Sequence, residues 1–195
     1  MKFRKIILAS QSPRRSQLLQ WAEIPFEIIV AGTEESYPSH LQPFEVAMHI
    51  AENKAKDVKN KIDSSITTGK GYPILAADTI VVLKNNIIDK PSGRQQAIEI
   101  LSSISGKKHS VITGVCILFA EKKILFSDKT VVEFLPLSDE QIEYYVDKYK
   151  PYDKAGAYAI QEWIGVTGIR SIKGDFYNVM GLPVSRVIKE LEALG

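Results

Sequence analysis

Short apolar runs alternate with amphipathic stretches along the chain, and this alternation is typical of an α/β fold. Runs of Ile, Val, Leu and Phe predict strands, whereas apolar residues spaced three and four positions apart predict helices. The predicted strands span residues 5–10, 26–30, 74–83, 87–89, 109–120 and 123–134. The predicted helices begin near Ser12, Pro43, Ser92, Ser138 and Leu182. Polar, turn-rich segments at 31–42 and 63–73 are predicted as loops, and 150–183 is rich in Gly, Tyr and Asp.

Three helix starts have recognisable N-terminal signals. Ser12 is predicted to cap the first helix, because a serine side chain can accept a bond from an amide of the first turn. Two capping boxes are predicted, Ser92 with Gln95 and Ser138 with Gln141.

Strands 109–120 and 123–134 are long and are joined at Glu121 and Lys122, which predicts a hairpin. A hairpin among alternating strands and helices favours a mixed sheet over a purely parallel one. We therefore expect a single domain over residues 1–195, with a long twisted mixed sheet flanked by helices. Two lobes with a central cleft are expected within it.

Composition narrows the class of protein. The chain has 195 residues, 45% of them hydrophobic, which is enough for a sizeable core. Its net charge of +2 gives no reason to expect a nucleic-acid or membrane partner. The single cysteine, Cys116, cannot form an internal disulfide and favours a reducing compartment. No apolar run has the length of a membrane span, so we expect a cytoplasmic protein.

The first stretch with candidate chemistry is LASQSPRRS, residues 8–16, where a strand turns into a helix. Helix N-termini favour anions, so the adjacent cations Arg14 and Arg15 are unfavourable there unless an anion binds. Their forked donors, with the hydroxyls of Ser10 and Ser12, would suit a phosphate. The alternative is a surface arginine pair that follows a helix cap.

The second candidate is Asp78 in LAADTIVVL, residues 75–83. A carboxylate within an apolar strand is unfavourable unless it is paired, hydrogen-bonded or bound to metal. Asp78 is therefore a candidate general base or metal ligand, and Thr79 adds a second polar group. The alternative is a structural aspartate that pairs with an arginine.

Further charged and polar residues complete the candidate set. Lys54 lies beside apolar positions of a predicted helix, and Lys90 just precedes another, where phosphate binding is favoured. Glu34 and Glu35 lie in a loop and would help to hold a divalent cation. Taken singly, each is more often a solvated surface charge. Gln161 in YDKAGAYAIQ carries an amide that can read a base edge.

Several enzyme classes are excluded by missing motifs. The sequence contains no Walker loop, G-x-G-x-x-G, G-x-S-x-G or C-x-x-C motif. His109 stands without a second ligand at zinc-binding spacing.

Seven segments taken in order resemble the Maf family of nucleoside triphosphate pyrophosphatases. They are SQSPRR, ENKA, AADT, DKP, SGKKHSVITG, DKAGAYAIQ and GDFYNVMGLP, and they extend from Ser10 to Pro183. The resemblance implies an α/β fold similar to that of inosine triphosphate pyrophosphatases. It also implies hydrolysis of a nucleoside triphosphate between the α and β phosphates.

The resemblance also implies roles for the candidate residues. Asp78 would be the proton acceptor, and Mg²⁺ or Mn²⁺ would be held by Asp78 with Glu34 or Glu35. The phosphate-binding set would be Ser10, Ser12, Arg15, Lys54 and Lys90, with Arg14 beside it.

The substrate branch is implied by Arg14, Thr79 and Gln161, which match members acting on dTTP and UTP. Modified pyrimidine nucleotides would be further substrates, in a house-cleaning role. The alternatives are the branch that prefers 7-methyl-GTP, or a non-catalytic nucleotide-binding regulator, since the family's older name is septum-formation inhibitor. An exposed sheet edge would allow a homodimer.

Overall fold

The computed structural model describes residues 4–64 and 71–194, and these form seven strands and seven α-helices. The strands are β1 (Ile6–Leu8), β2 (Phe26–Ile28), β3 (Ile74–Leu83), β4 (Asn86–Ile88), β5 (Lys108–Phe119), β6 (Lys122–Phe134) and β7 (Ile169–Lys173). The helices are α1 (Pro13–Trp21), α2 (Pro43–Ser64), α3 (Arg94–Ile104), α4 (Asp139–Tyr149), α5 (Trp163–Gly168), α6 (Phe176–Met180) and α7 (Val184–Glu192). One 3₁₀ turn, Ala155–Ala157, lies between α4 and α5. Part of the predicted loop 63–73, residues 65–70, lies outside the described residues.

The strands form one seven-stranded sheet, in the order β2-β1-β3-β5-β6-β7, with β4 paired to β3. β1 runs parallel to both β2 and β3. β4 is antiparallel to β3, and β7 is antiparallel to β6. The predicted mixed sheet with flanking helices is therefore confirmed.

The chain divides into two compact units. The first comprises Met1–Asp78, Thr113–Asp128 and Gly181–Gly195, and the second comprises Thr79–Ile112 and Lys129–Met180. β3, β5 and β6 each contribute residues to both units. This division agrees with the two lobes expected from the sequence.

In the first unit, α2 covers the sheet through one apolar face. Its residues at helical spacing (Ala51, Ala55, Val58 and Ile62) are buried in a cluster with residues of the sheet and of the chain just after β1. Those residues are Ile7 of β1, Ala9 directly after β1, Ile74 and Ala76 of β3, and Cys116 of β5. The helix lies so close that a Cβ on Gly114 of β5 would be 2.2 Å from the carbonyl carbon of Ala47. This close packing fixes the height of α2 above the strands.

In the second unit, α3 and α4 pack together and an ion pair joins them at the surface. Arg94 Nε donates to Asp147 Oδ1 at 2.6 Å. A buried aromatic cluster lies in the same unit, where His109 of β5 and Phe134 of β6 both contact Tyr158.

Of the two predicted capping boxes, one is present in the structure and the other is not. Ser138 and Gln141 form the predicted capping box of α4. The Ser92–Gln95 box is wrong, because α3 begins at Arg94 with Gly93 as its N-cap. The amide of Ser92 instead donates to Gln96 Oε1 at 2.6 Å.

The segment 150–183 contains elements that the hydrophobic pattern did not predict. β7 carries almost only exposed residues, so it lacks the alternation that marks a half-buried strand. α5 and α6 have six and five residues, which is too short for a helical periodicity to appear. None of the described helices is long and apolar enough to cross a membrane.

Candidate active site

The turn between β1 and α1 is held together by Ser10. Its Oγ accepts a hydrogen bond from the Ser12 amide at 3.2 Å and another from Arg15 Nη1 at 2.9 Å. Ser12 is the N-cap of α1, as predicted, although its side chain accepts no capping bond from the described helix. The turn therefore depends on the side chain of Ser10 rather than that of Ser12.

The two arginines of this turn lie in different environments. Arg15 is buried at 8% exposure, and its Nε donates to the carbonyl oxygen of Gly181 at 2.8 Å. Burial lowers the pKa of its guanidinium, although an arginine remains charged at any physiological pH. Arg14 is half-buried on the same turn. Arg15 thus braces the turn and places a positive charge beneath it.

A single lysine joins two carboxylates in the first unit. Lys54 Nζ, on α2, lies 2.7 Å from Asp78 Oδ1 at the end of the first unit's part of β3. The same Nζ lies 2.5 Å from Glu35 Oε1, in the loop after β2. Asp78 is buried at 7% exposure, and its ion pair with Lys54 offsets the desolvation of that carboxylate.

The contacts of Lys54 distinguish the two neighbouring glutamates. Both glutamates are exposed, and Glu35 is the one whose carboxylate forms the ion pair with Lys54. Sequence reasoning left the choice between them open.

The predicted metal ligands are Asp78, Glu34 and Glu35. Within the described residues, no group of three or more His, Cys, Asp or Glu side chains forms a cluster able to hold a metal. Asp78 and Glu35 nevertheless both form ion pairs with the ammonium group of Lys54. Their carboxylates are therefore close enough to contact a common cation. Mg²⁺ is commonly held by one or two carboxylates, with substrate phosphates and water completing its shell. The donor set therefore fits a cation shared with a polyphosphate.

Three predicted site residues lie on separate elements of the second unit. Thr79 follows Asp78 directly in β3 and is half-buried, and Lys90 is exposed between β4 and α3. Gln161 is exposed and lies two residues before the start of α5. The remaining predicted residues are in the first unit, where the contacts described above bring Ser10, Ser12 and Arg15 together, and separately Lys54, Asp78 and Glu35.

Sequence reasoning missed two residues that support these candidates. Gly181 accepts a bond from Arg15 through its backbone oxygen, and a backbone acceptor has no side-chain signal in a sequence. Tyr145 occupies a buried position of α4 at apolar spacing, so the sequence gives no signal that its hydroxyl makes a contact. That hydroxyl accepts from the Ala159 amide, two residues before Gln161.

Fold and site together define an α/β protein with a lysine-bridged carboxylate pair and an arginine-braced turn between its first strand and helix. The chain belongs to the Maf family, since the family model described as Maf-like protein matches residues 5–194.

Curated relatives extend over nearly the whole chain. It is 49% identical to the dTTP/UTP pyrophosphatase of Cytophaga hutchinsonii, over 97% of this chain and 84% of that one. It is 45% identical to the dTTP/UTP pyrophosphatase of Parabacteroides distasonis, over 98% of this chain and 97% of that one.

Among solved structures, the chain is similar to the Ham1 protein of Staphylococcus aureus, at 12% identity and a TM-score of 0.45. That overlap covers 67% of this chain and 72% of the other. The fold assignment depends on the sheet described above and not on this overlap.

Proposed function

We propose that this protein hydrolyses dTTP and UTP between the α and β phosphates, releasing the nucleoside monophosphate and pyrophosphate. Modified pyrimidine nucleoside triphosphates are included in the proposal, which gives the enzyme a house-cleaning role. The observation that carries it is the Lys54-bridged pair of Asp78 and Glu35 in a chain whose near full-length relatives are named dTTP/UTP pyrophosphatases.

The cationic groups are proposed to hold the triphosphate. Arg14, at the start of α1, would donate to phosphate oxygens where the helix N-terminus already favours negative charge. Ser12 would add its hydroxyl, and Lys90 would contribute a further charge. Arg15 would contribute its positive charge from beneath the turn, because its Nε and one Nη already donate to Gly181 and Ser10. Such charges stabilise the pyrophosphate as negative charge builds on it.

Asp78 is proposed to accept the proton of the attacking water. The water oxygen bonds to phosphorus, the bond to the bridging oxygen breaks, and its electron pair leaves with the pyrophosphate. Lys54 holds the Asp78 carboxylate in one position, at 2.7 Å, and is close enough to Glu35 to order the loop that carries it. Positioning of a general base in this way contributes to catalysis because misplaced bases transfer protons poorly.

A divalent cation, Mg²⁺ or Mn²⁺, is proposed to bind with the substrate. Asp78 and Glu35 are the carboxylates that would hold it, and Glu34 is the neighbouring candidate. When bound, the ion would neutralise phosphate charge and polarise the phosphoryl group.

Selectivity for the base is proposed to depend on Arg14, Thr79 and Gln161. The uracil and thymine edges present acceptor, donor and acceptor groups in a row. The amide of Gln161 can satisfy two of these groups in one plane. Gln161 is exposed and directly follows a buried segment, so its side chain is available to contact the base.

A panel of nucleoside triphosphates tests the proposal. With Mg²⁺ or Mn²⁺, dTTP and UTP should release pyrophosphate with a higher kcat/KM than ATP, GTP, CTP or 7-methyl-GTP, and chelation of the metal should stop release. A preference for 7-methyl-GTP would place the chain in the other substrate branch. Binding of nucleotides without turnover at any metal concentration would support a non-catalytic regulator instead.

The role of Asp78 has its own test. Asp78→Asn removes the proton acceptor and should lower kcat by about 10²- to 10⁴-fold, the range of general base catalysis. Asp63→Asn is the matched control, because Asp63 forms an exposed ion pair with Lys59 on α2. Full activity in Asp78→Asn would refute the assigned base.

We also propose a cytoplasmic location and a homodimer. The support for the dimer is β7, which lies at one end of the sheet order and is largely exposed. Light scattering of the purified chain distinguishes a monomer from a dimer.

A further inference from the structure

The segment that ends at Gln161 has a constrained backbone. Gly156 and Ala157 have φ values of +71° and +57°, and alanine rarely adopts this left-handed conformation. Gly156 is packed against β3, because a Cβ there would lie 2.9 Å from Val81 Cγ2. The five residues from 156 to 160 are all buried, and Gln161 is the first exposed residue after them. A backbone of this kind persists only where surrounding contacts hold it.

The hydroxyl of Tyr145 supplies contacts on both sides of Gln161. It accepts a hydrogen bond from the Ala159 amide at 3.1 Å and donates one to Glu162 Oε2. The Tyr145 side chain is fully buried on α4, and its bond from the Ala159 amide is buried as well, whereas the Glu162 carboxylate is partly exposed. One side chain thus fixes the backbone two residues before Gln161 and the carboxylate one residue after it.

Contacts of Lys154 and Tyr158 support the same segment. Lys154 is buried at 8% exposure, with its Nζ 3.7 Å from Glu162 Oε1 and 2.8 Å from Asp153 Oδ1. Tyr158 OH is 2.8 Å from His109 Nε2. The carboxylate of Glu162 is therefore engaged at both oxygens, by Tyr145 and by Lys154.

We propose that Tyr145 is a positioning residue for base selectivity, which acts by holding Gln161 through Ala159 and Glu162. This inference rests on the proposed function, in which Gln161 contacts the pyrimidine. An amide that reads uracil must lie in the plane of the base, and a half-turn of the same amide would read cytosine. Anchors on both sides of Gln161 fix the backbone from which its amide reaches the base, and a displaced backbone would weaken the bonds that favour uracil.

Tyr145→Phe removes only the hydroxyl and keeps the buried ring. The measured quantity is the ratio of kcat/KM for UTP to kcat/KM for CTP, because a partly unfolded preparation lowers both values equally. We expect this ratio to fall about tenfold, the effect of losing the net contribution of about one hydrogen bond. Tyr149→Phe is the matched control, since its ring stacks on that of Tyr145 with centroids 4.9 Å apart. It should leave the ratio unchanged.

A double-mutant cycle with Gln161→Ala shows whether Tyr145 acts through Gln161. In the Gln161→Ala background, Tyr145→Phe should cause no further fall in the ratio, because the amide being positioned is absent. An equal fall in both backgrounds would overturn the inference, as would an unchanged ratio in Tyr145→Phe.

The inference and the proposed function fail in different ways. A wild-type chain that does not prefer UTP to CTP refutes the proposed function. A Gln161→Ala variant that keeps the wild-type ratio refutes the contact between Gln161 and the base. If both of those results are as expected and Tyr145→Phe still keeps the wild-type ratio, only the positioning role of Tyr145 is refuted.

Discussion

Neighbouring residues of the same type have different surroundings in the fold. Arg15 is enclosed by Ser10 and Gly181, whereas Arg14 beside it is only half-buried. Glu34 and Glu35 are both exposed, but only Glu35 of the two has a contact with Lys54. The sequence shows each pair as equivalent, because a charge pattern does not record which side of a turn a side chain takes. Their catalytic and binding roles remain predictions.

Lys54 gives a sharp test at the scale of one residue. Lys54→Met keeps the length of the side chain and removes the charge that joins Asp78 to Glu35. We expect kcat for pyrophosphate release from UTP to fall by about 10²-fold or more, as for loss of a group that orients a catalytic base and stabilises phosphate charge.

Lys56→Met is the control for this change, because Lys56 lies on the same helix in a more exposed ion pair with Glu52. It should retain wild-type activity. Equal activity in the two variants would contradict the role of Lys54.

At the scale of elements, the contact of α2 with β5 positions Lys54. Ala51 and Ala55, on either side of Lys54, are in the core, as the apolar spacing of α2 predicts, whereas Phe44 at the same spacing is exposed. The distance between helix and strand was not predictable from that spacing. It depends on Gly114, which lacks a side chain where the backbone of α2 crosses β5.

Gly114→Ala tests this packing. The added Cβ would meet backbone atoms of Ala47 and Met48 at 2.2 to 2.4 Å, and backbone in a packed helix cannot move aside. We expect a loss of about 3 kcal/mol in the free energy of unfolding, at the upper end for overpacking. Urea denaturation measures it.

Gly32→Ala serves as the comparison, since a Cβ on Gly32 meets nothing within 4 Å. It should be close to neutral. If Gly114→Ala were as stable as Gly32→Ala, the close approach of α2 to β5 would be wrong.

At the scale of the whole molecule, stability should depend on the protonation of His109. Burial lowers the pKa of His109 from its ordinary 6.5 to about 4 in the folded protein. The unfolded chain therefore binds this proton more tightly between these two values. The resulting contribution to stability is fully present above pH 6.5 and is lost as the pH falls towards 4.

The expected loss is up to about 3.5 kcal/mol, because lowering the pKa from 6.5 to about 4 contributes about 1.4 kcal/mol per pH unit. Urea titrations at several pH values measure it. His109→Gln should flatten the pH dependence between 4 and 6.5, whereas His40→Gln, at an exposed position, should not. An unaltered slope in His109→Gln would refute the assignment.

The sequence by itself determined the order of most strands and helices, the mixed character of the sheet, and the family. These features follow from local periodicity and from motifs read along the chain. The assignment of residues 1–195 to one domain stays a prediction.

Only the tertiary structure decided which candidates meet. Lys54 contacts residues 19 and 24 positions away, and Arg15 bonds a carbonyl 166 positions away. The sequence indicates only that Tyr145 is a core residue. The structure shows that its hydroxyl bonds to Ala159 and Glu162. The physical reason is that periodicity specifies which face of an element is buried. It does not specify which distant polar group that face will meet.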